Sequence, residues 1–248
     1  MPSRSLPSVQ PARPAVAAVR VWDLPTRLFH WSLAASVSIA LLSGEEDSAL
    51  AAWHHPAGWA VVALLVFRLI WGVAGGEHAR FANFVRPGAI GAHLGAMRRR
   101  DGASHAGHDP LGGLAVLGLL GLAGLASGTG VWLLSGGNEE LHELFAYALL
   151  ALVAVHVAAV VIMSLLTHDN LIGAMITGRK SRARHPDAAD ARPGRPLALA
   201  VAVAAMALTA VVATRIDPAL LNPAARGEAG EAGEHGAGDH EGGEEQED

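Results

Sequence analysis

Five long apolar segments constrain this chain more than any other feature of its sequence. They cover residues 28–43, 53–74, 111–134, 143–166 and 197–213. A helix that crosses the hydrocarbon core of a bilayer needs about 20 apolar residues. The middle three segments reach that length. The first is short but can be extended by Val19, Val21 and Trp22, and the fifth is rich in alanine and free of charge. The sequence therefore predicts an all-α integral membrane protein, a four-helix transmembrane bundle with a fifth, C-terminal transmembrane helix.

The composition excludes several kinds of protein and of metal site. Only 17% of the residues are charged, whereas a soluble domain carries about 25%. The chain has no cysteine, which excludes disulfide bonds, thiolate zinc sites, iron–sulfur clusters and covalently attached c-type haem. Any metal site must therefore be built from histidine or from oxygen ligands.

Arginine and lysine residues predict the orientation of the five segments. They are frequent before the first segment, between the second and third, and between the fourth and fifth, but absent from 44–52 and 135–141, which carry acidic residues instead. By the positive-inside rule, the N-terminus and the two basic loops lie in the cytoplasm of a multi-pass protein of the bacterial inner membrane. The basic runs lie beside the spans, so contact with anionic lipid explains them better than nucleic-acid binding does.

Histidines inside the apolar segments are the candidates for chemistry, because ionisable groups are costly in a membrane. His156 lies deep in the fourth segment and His142 begins it. Fourteen residues separate the two, a rise of about 21 Å and a rotation within about 40° of whole turns. Both therefore lie on one face, at two depths. The predicted topology puts His30 at the inner level with His156, and His54 or His55 at the outer level with His142.

Two histidine pairs at different depths predict two cofactors rather than one metal ion, whose ligands would all lie about 2 Å from it. Two imidazoles fill both axial positions of a haem iron and leave it to transfer electrons instead of binding oxygen. The pattern is typical of two b-type haems, one in each leaflet.

Depth alone does not choose between His54 and His55. We favour His54 because Gly58 follows it by four residues on the same helix face and would let a cofactor approach the backbone closely. Arg68 lies on that face at the inner level. It would pair with a haem propionate or extend its guanidinium to the inner interface, and the sequence leaves both alternatives open.

Several motifs in this chain resemble those of the bacterial dihaem cytochrome b561 family, which is grouped with the b-type cytochrome subunit of nickel–iron hydrogenases. The similarity covers about residues 21–180 and rests on VWDLPTRLFHW (21–31), HHPAGW (54–59), FRLIWG (67–72), GHDPLGG (107–113), and His142 with His156. The resemblance implies a four-helix core with two haems and the axial iron ligands His30, His54, His142 and His156. The full set of candidate cofactor-binding residues also includes Arg27, Arg68 and Gly58.

The function implied is electron transfer between the quinone pool and a partner such as a periplasmic c-type cytochrome or a hydrogenase. The chain would then be an electron carrier or a subunit of a quinone-linked oxidoreductase, with membrane lipid around it and quinone as a substrate. Two alternatives are a haem-containing membrane anchor of a larger redox complex and a histidine-lined metal transporter. The transporter is disfavoured because its ligands would have to converge at one depth.

The corresponding domain organisation has five parts. We expect a disordered cytoplasmic arm (1–19), a dihaem membrane domain (20–180), a basic cytoplasmic linker (181–196), the fifth transmembrane helix (197–214) and an acidic, disordered periplasmic tail (215–248). Residues 226–248 hold nine acidic residues and one arginine and have few apolar side chains. This segment therefore cannot bury enough apolar surface to offset the entropy that ordering would cost.

The remaining histidines are expected to have minor roles. His108 would contact a quinone or relay a proton, but the following Asp and Pro favour a simple helix start. The others lie in loops or in the tail and are expected to be solvated: His78, His93, His105, His168, His185, His235 and His240.

Overall fold

The computed structural model describes residues 18–45, 48–84, 110–185 and 188–221. Its elements, in chain order, are β1 (Ala18–Arg20), α1 (Leu24–Leu42), α2 (His54–Ala74), α3 (Phe81–Phe84), α4 (Pro110–Leu133), α5 (Glu139–Thr167), α6 (Leu171–Thr177), β2 (Arg179–Ser181) and α7 (Pro196–Ile216), with 3-10 turns at Ala51–Trp53 and Pro218–Leu221. The predictions for residues 1–17, for the loop that contains His93, His105 and His108, and for the tail with His235 and His240 fall outside the described residues.

The prediction of an all-α membrane bundle is confirmed. Within the described residues, four helical segments are long and apolar enough to cross a membrane: Ala51–Ala74, Gly112–Leu133, Glu139–Thr167 and Pro196–Ile216. The predicted fifth span is one of them, whereas the predicted first span, α1, is not. Arg27, His30 and several serines make α1 the least apolar of the long helices.

Helix α1 nevertheless covers the same depth as α2, against which it packs. Near one end of the pair, the indole Nε1 of Trp71 donates to Thr26 Oγ1 over 3.3 Å. Near the other end, His54 Nδ1 lies 2.9 Å from the carbonyl oxygen of Ala40. Because α2 is long enough to cross a membrane and α1 accompanies it between these contacts, α1 spans the same thickness.

Local sequence signals define where the two site-bearing helices begin. Asp23 caps α1 by accepting a hydrogen bond from the Thr26 backbone N–H over 2.9 Å, and a proline lies in the first turn. Asn138 caps α5 in the same way through the Leu141 N–H, over 2.8 Å. The acidic residues Glu139 and Glu140 in the first turn of α5 suit the positive end of the helix dipole. Each cap fixes the residue at which its helix begins, and hence how far from that helix end the histidines of α1 and α5 lie.

Two apolar clusters hold the bundle together. One joins α1, α2 and α7, and the other joins α1, α2, α4 and α5 near the middle of the spans. Their buried members are Phe29, Phe67, Trp71, Ala79, Ala198 and Ala202 in the first cluster, and Val37, Val61, Ala123 and Leu149 in the second. Helices α1 and α2 contribute to both clusters, and α2 is the central helix because it packs against α1, α4 and α7.

A small non-helical layer closes the end of the bundle where α1 and α7 begin and α2 ends. We call it the cap, and it consists of residues 18–23, 75–80, 178–185 and 188–195. Strands β1 and β2 pair antiparallel in it, with Val19 opposite Lys180. The Ala191 N–H donates to the Arg20 carbonyl over 2.9 Å, and the Arg192 N–H donates to the Glu77 carboxylate over 3.0 Å. The segment expected to be a basic linker thus packs against the start of the membrane domain.

Candidate cofactor-binding site

His54 and His142 lie side by side, as the outer pair of the depth argument requires. Their ring centroids are 5.9 Å apart and their planes are inclined at 87°. Two imidazoles that share one metal ion through nitrogens at about 2 Å have centroids about 6 Å apart. The spacing of this pair therefore fits bis-imidazole ligation of a single iron.

Hydrogen bonds to helix carbonyls fix which nitrogen of each outer histidine is available. His54 Nδ1 lies 2.9 Å from the Ala40 carbonyl oxygen on α1, and His142 Nδ1 lies 2.9 Å from the Ala126 carbonyl oxygen on α4. A carbonyl can only accept, so the proton is on Nδ1 and the lone pair is on Nε2. Histidines that bind metals are commonly oriented in this way by a hydrogen bond from the other ring nitrogen.

Two glycines give the outer pair its space. A Cβ on Gly130 would lie 3.0 Å from Cε1 of His142, so the absence of a side chain there lets the ring lie against α4. A Cβ on Gly58 would meet no heavy atom within 4 Å. Open space therefore lies beside the helix turn that follows His54. The sequence favoured His54 over His55 because Gly58 would leave such space for a cofactor.

His55 is directed elsewhere. Its Nδ1 lies 3.0 Å from Oδ2 of Asp217, a buried carboxylate just beyond the C-terminal end of α7. The ring of His55 is 6.1 Å from that of His54, with the planes at 73°. Of the two neighbouring histidines, His54 is the one beside His142, while His55 connects α2 to α7.

His30 on α1 and His156 on α5 are the members of the predicted inner pair, and both are partly buried. Their pairing stays a prediction. His30 Nδ1 is inaccessible to solvent and has no hydrogen-bond partner among the described residues. A buried ring nitrogen without a partner is costly, and a metal bond through one nitrogen of this ring would offset part of that cost.

The two arginines of the candidate set make contacts within the protein. Arg27 donates through Nη2 to the Ile176 carbonyl. Arg68 is buried, with 4% of its surface exposed. Its Nη1 donates to the Ala79 carbonyl over 3.0 Å, and its guanidinium lies 4.5 Å from the centre of the Phe81 ring. The pairing of either arginine with a propionate stays a prediction.

The donor chemistry of both pairs suits b-type haem. Each predicted pair offers two imidazole nitrogens. Within the described residues there is no group of three or more histidine, aspartate or glutamate side chains that could hold a metal ion.

The prediction for His185, a histidine outside the long helices, was wrong. His185 was expected to be solvated, but 6% of its surface is exposed and its Nε2 lies 2.8 Å from Asp169 Oδ2. Burial alone would raise the pKa of Asp169. The hydrogen bond with His185 and the charges of Lys180 and Arg184 outweigh it and hold that pKa below its usual value. Asp169 and His185 are sixteen positions apart, and the sequence between them contains no pattern that indicates this contact.

Comparison with known proteins gives one match. A family described as prokaryotic cytochrome b561 matches residues 21–178, more than half of the chain. No curated protein and no solved structure matches. The matched range contains all four histidines of the two pairs and ends before α7.

Proposed function

This chain belongs to the prokaryotic cytochrome b561 family, and on that basis we propose that it conducts electrons across the membrane through two b-type haems. The route would connect the quinone pool with a redox partner such as a periplasmic c-type cytochrome or a hydrogenase. The observation that carries the proposal is the contact between the His54 and His142 rings, whose centroids are 5.9 Å apart, with His156 about 21 Å further along α5.

The outer pair supports the proposal through its geometry. A ring separation of 5.9 Å and Nδ1 atoms bonded to the Ala40 and Ala126 carbonyls leave both Nε2 atoms as ligand atoms. These hydrogen bonds orient the rings before a cofactor binds, so little ordering cost remains for ligation.

The predicted inner pair supports the proposal through the position of His156 along α5. His142 and His156 share one face of α5, about 21 Å apart along the axis, so the two sites fall on opposite sides of the apolar centre. Each haem would supply a one-electron carrier whose axial positions are both filled. The protein holds these carriers in order across the membrane and surrounds them with the apolar side chains of α1, α2, α4 and α5, which exclude water.

The remaining candidates have supporting roles in this proposal. Gly58 leaves space for the edge of the macrocycle on α2. Arg27 and Arg68 would counter the negative charge of propionates at the inner level. None of these residues makes or breaks a bond, so the chain acts as an electron carrier or as the carrier subunit of a quinone-linked oxidoreductase.

Reconstitution into liposomes tests the function directly. Ferricyanide trapped inside is reduced by a quinol added outside, and the rate in protein-free liposomes is subtracted because a quinol can itself diffuse through lipid. We expect wild-type protein to catalyse this reduction. Single replacements His54→Leu and His156→Leu should each slow it at least about tenfold, because either replacement interrupts the route.

The matched control is His55→Leu, which changes the neighbouring histidine and leaves both pairs intact. We expect it to retain most of the wild-type rate. Equal rates for wild-type protein and for the His54 and His156 variants would refute the proposal.

A further inference from the structure

A cavity of about 440 Å³ opens in the cap; it is lined by none of the four candidate ligand histidines and lies about one helix turn from His30 along α1. Its floor is formed by the first turns of α1 and α7 and the last turn of α2, with Trp22 and Trp71 in its wall. The charged side chains around it are five arginines and two carboxylates: Arg20, Arg27, Arg179, Arg192, Arg195, Asp23 and Glu77. Because three long helices start or finish here, the cavity lies where the apolar spans meet water.

The carboxylates of this cavity are already engaged by backbone groups. Asp23 Oδ1 accepts from the Thr26 N–H over 2.9 Å, and Glu77 Oε2 accepts from the Arg192 N–H over 3.0 Å. Asp23 Oδ2 is buried without a hydrogen-bond partner among the described residues, so it can accept from one further donor. With five guanidinium groups against two carboxylates, the lining of the cavity keeps an excess of positive charge.

Most of the arginines of this cavity are free to bind an anion. The guanidinium groups of Arg20, Arg179, Arg192 and Arg195 make no hydrogen bond or ion pair within the parts of the chain that the structure describes. His78 adds no charge near neutral pH. Its burial lowers its pKa below the usual value, although Glu77 and Asp23 oppose the shift.

The register of the small sheet places two like charges opposite each other at this cavity, beside the Asp190 carboxylate, which accepts from the Arg20 N–H over 2.8 Å. Strand β1 places Arg20 directly opposite Arg179 of β2, and both side chains line the cavity. Like charges directly opposite each other across antiparallel strands destabilise the pairing. An anion between the two guanidinium groups would turn this repulsion into attraction.

The start of α7 brings the positive end of a helix dipole to the same cavity. Arg195 is the N-cap residue, and Pro196, the first helical residue, has no N–H. The guanidinium groups, rather than backbone donors, are therefore the groups that suit phosphate oxygens here.

We propose that this cavity binds a phosphate group, presented by an anionic phospholipid of the surrounding leaflet or by free phosphate in solution. Arg192 and Arg195 hold the phosphate oxygens at the start of α7, and Arg20 and Arg179 hold them from the sheet. A hydroxyl of the headgroup or of the phosphate donates to Asp23 Oδ2. The bound group fastens the segment before α7 to the membrane domain.

Native mass spectrometry of the haem-loaded protein, released from nanodiscs, tests this site and its source. The nanodiscs contain either phosphatidylglycerol with phosphatidylcholine or phosphatidylcholine alone, and inorganic phosphate is titrated separately by calorimetry. The test variant is the double replacement Arg192→Gln with Arg195→Gln. Its matched control is Arg215→Gln, which removes an arginine from the opposite end of α7.

The lipid source predicts that wild type and Arg215→Gln retain phosphatidylglycerol, and that the double variant retains at least about tenfold less, since each basic residue contributes to such binding. The solution source predicts no preference for that lipid, but phosphate binding that the double variant loses. Both results support the site.

Two results would overturn it. One is equal retention of lipid and phosphate by wild type and the double variant, or binding of neither. The other is loss of a haem absorption band from the double variant, which would assign these arginines to haem propionates instead. A double variant that keeps its haem spectrum and its melting temperature in detergent shows that altered binding is not a folding defect.

Discussion

Two adjacent histidines at the start of α2 have different surroundings. His54 is directed toward α1 and His142, and His55 toward Asp217. The sequence favoured His54 through its spacing to Gly58. It could not show the contact of His55, because Asp217 lies 162 residues away along the chain. A helical pattern places residues on a face, but the partner on that face comes from tertiary packing.

This difference predicts opposite results for two neighbouring substitutions. His54→Leu should reduce the haem content of the purified protein by about half, because one axial ligand of the outer site is lost. His55→Leu should leave the haem content unchanged. Haem extraction and quantification per chain measures both, and haem loss in His55→Leu but not in His54→Leu would contradict the assignment.

Asp169 is the residue through which acid should loosen the cap. Its pKa is held below the ordinary value of 3.8 by His185, Lys180 and Arg184. A depressed carboxyl pKa contributes stability above the unfolded-state value and loses it as the pH falls through the folded-state value. The contribution is therefore complete near pH 7 and disappears below about pH 4.

We accordingly expect Asp169→Asn to lower the melting temperature in detergent at pH 7, with a difference from wild type that narrows as the pH falls below about 4. Asp190→Asn is the control, since that carboxylate lies near Arg182 at the surface, 3.9 Å away. If the difference in melting temperature between Asp169→Asn and wild type is the same at every pH, the charge of Asp169 does not stabilise the protein.

At the scale of helices and strands, the sequence predicted the long apolar helices well and the cap poorly. Hydropathy over about 20 residues is a strong signal. Strands β1 and β2 have three residues each, too few for an alternating pattern to be visible. They form because the chain on either side of them is anchored in the membrane bundle, and the residue pattern of 181–196 contains no sign of that.

The packing of α7 on α2 depends on small side chains. Ala202 is fully buried in the cluster that contains Phe67 and Trp71. Ala202→Leu should destabilise the protein by about 1–3 kcal/mol, because extra atoms would force the two helices apart. Ala204→Leu, at an exposed position of α7, should have little effect.

Thermal unfolding of both leucine variants in one detergent checks this prediction. A lower melting temperature for Ala202→Leu alone indicates that α7 is packed on α2 as the structure describes. Equal melting temperatures for both variants would show that the helix is not held there.

The number of helices that cross the membrane determines on which sides the two ends of the chain lie. Helix α1 is less apolar than the other long helices but accompanies α2 throughout its depth, so the described residues contain five long helices that we take as spans: α1, α2, α4, α5 and α7. Five crossings predict that the two ends of the chain lie on opposite sides of the membrane, and the positive-inside rule predicts a cytoplasmic N-terminus.

Tags at both ends of the chain measure on which side of the membrane each end lies. In intact spheroplasts, an external protease should remove a tag placed after Asp248 and leave a tag before Met1 untouched. Protection of both tags, or cleavage of both, would mean an even number of crossings and would remove either α1 or α7 from the set of spans.

The central claim is that one chain holds two haems, each between a specific pair of helices. Reduced-minus-oxidised spectra with haem quantification test it most directly, on purified wild type and on single leucine replacements of His30, His54, His142 and His156. We predict two haems per chain in wild type, loss of the same spectral component in the His30 and His156 variants, and loss of the other component in the His54 and His142 variants. One haem or none in wild type, or a pairing of His30 with His142, would contradict the account.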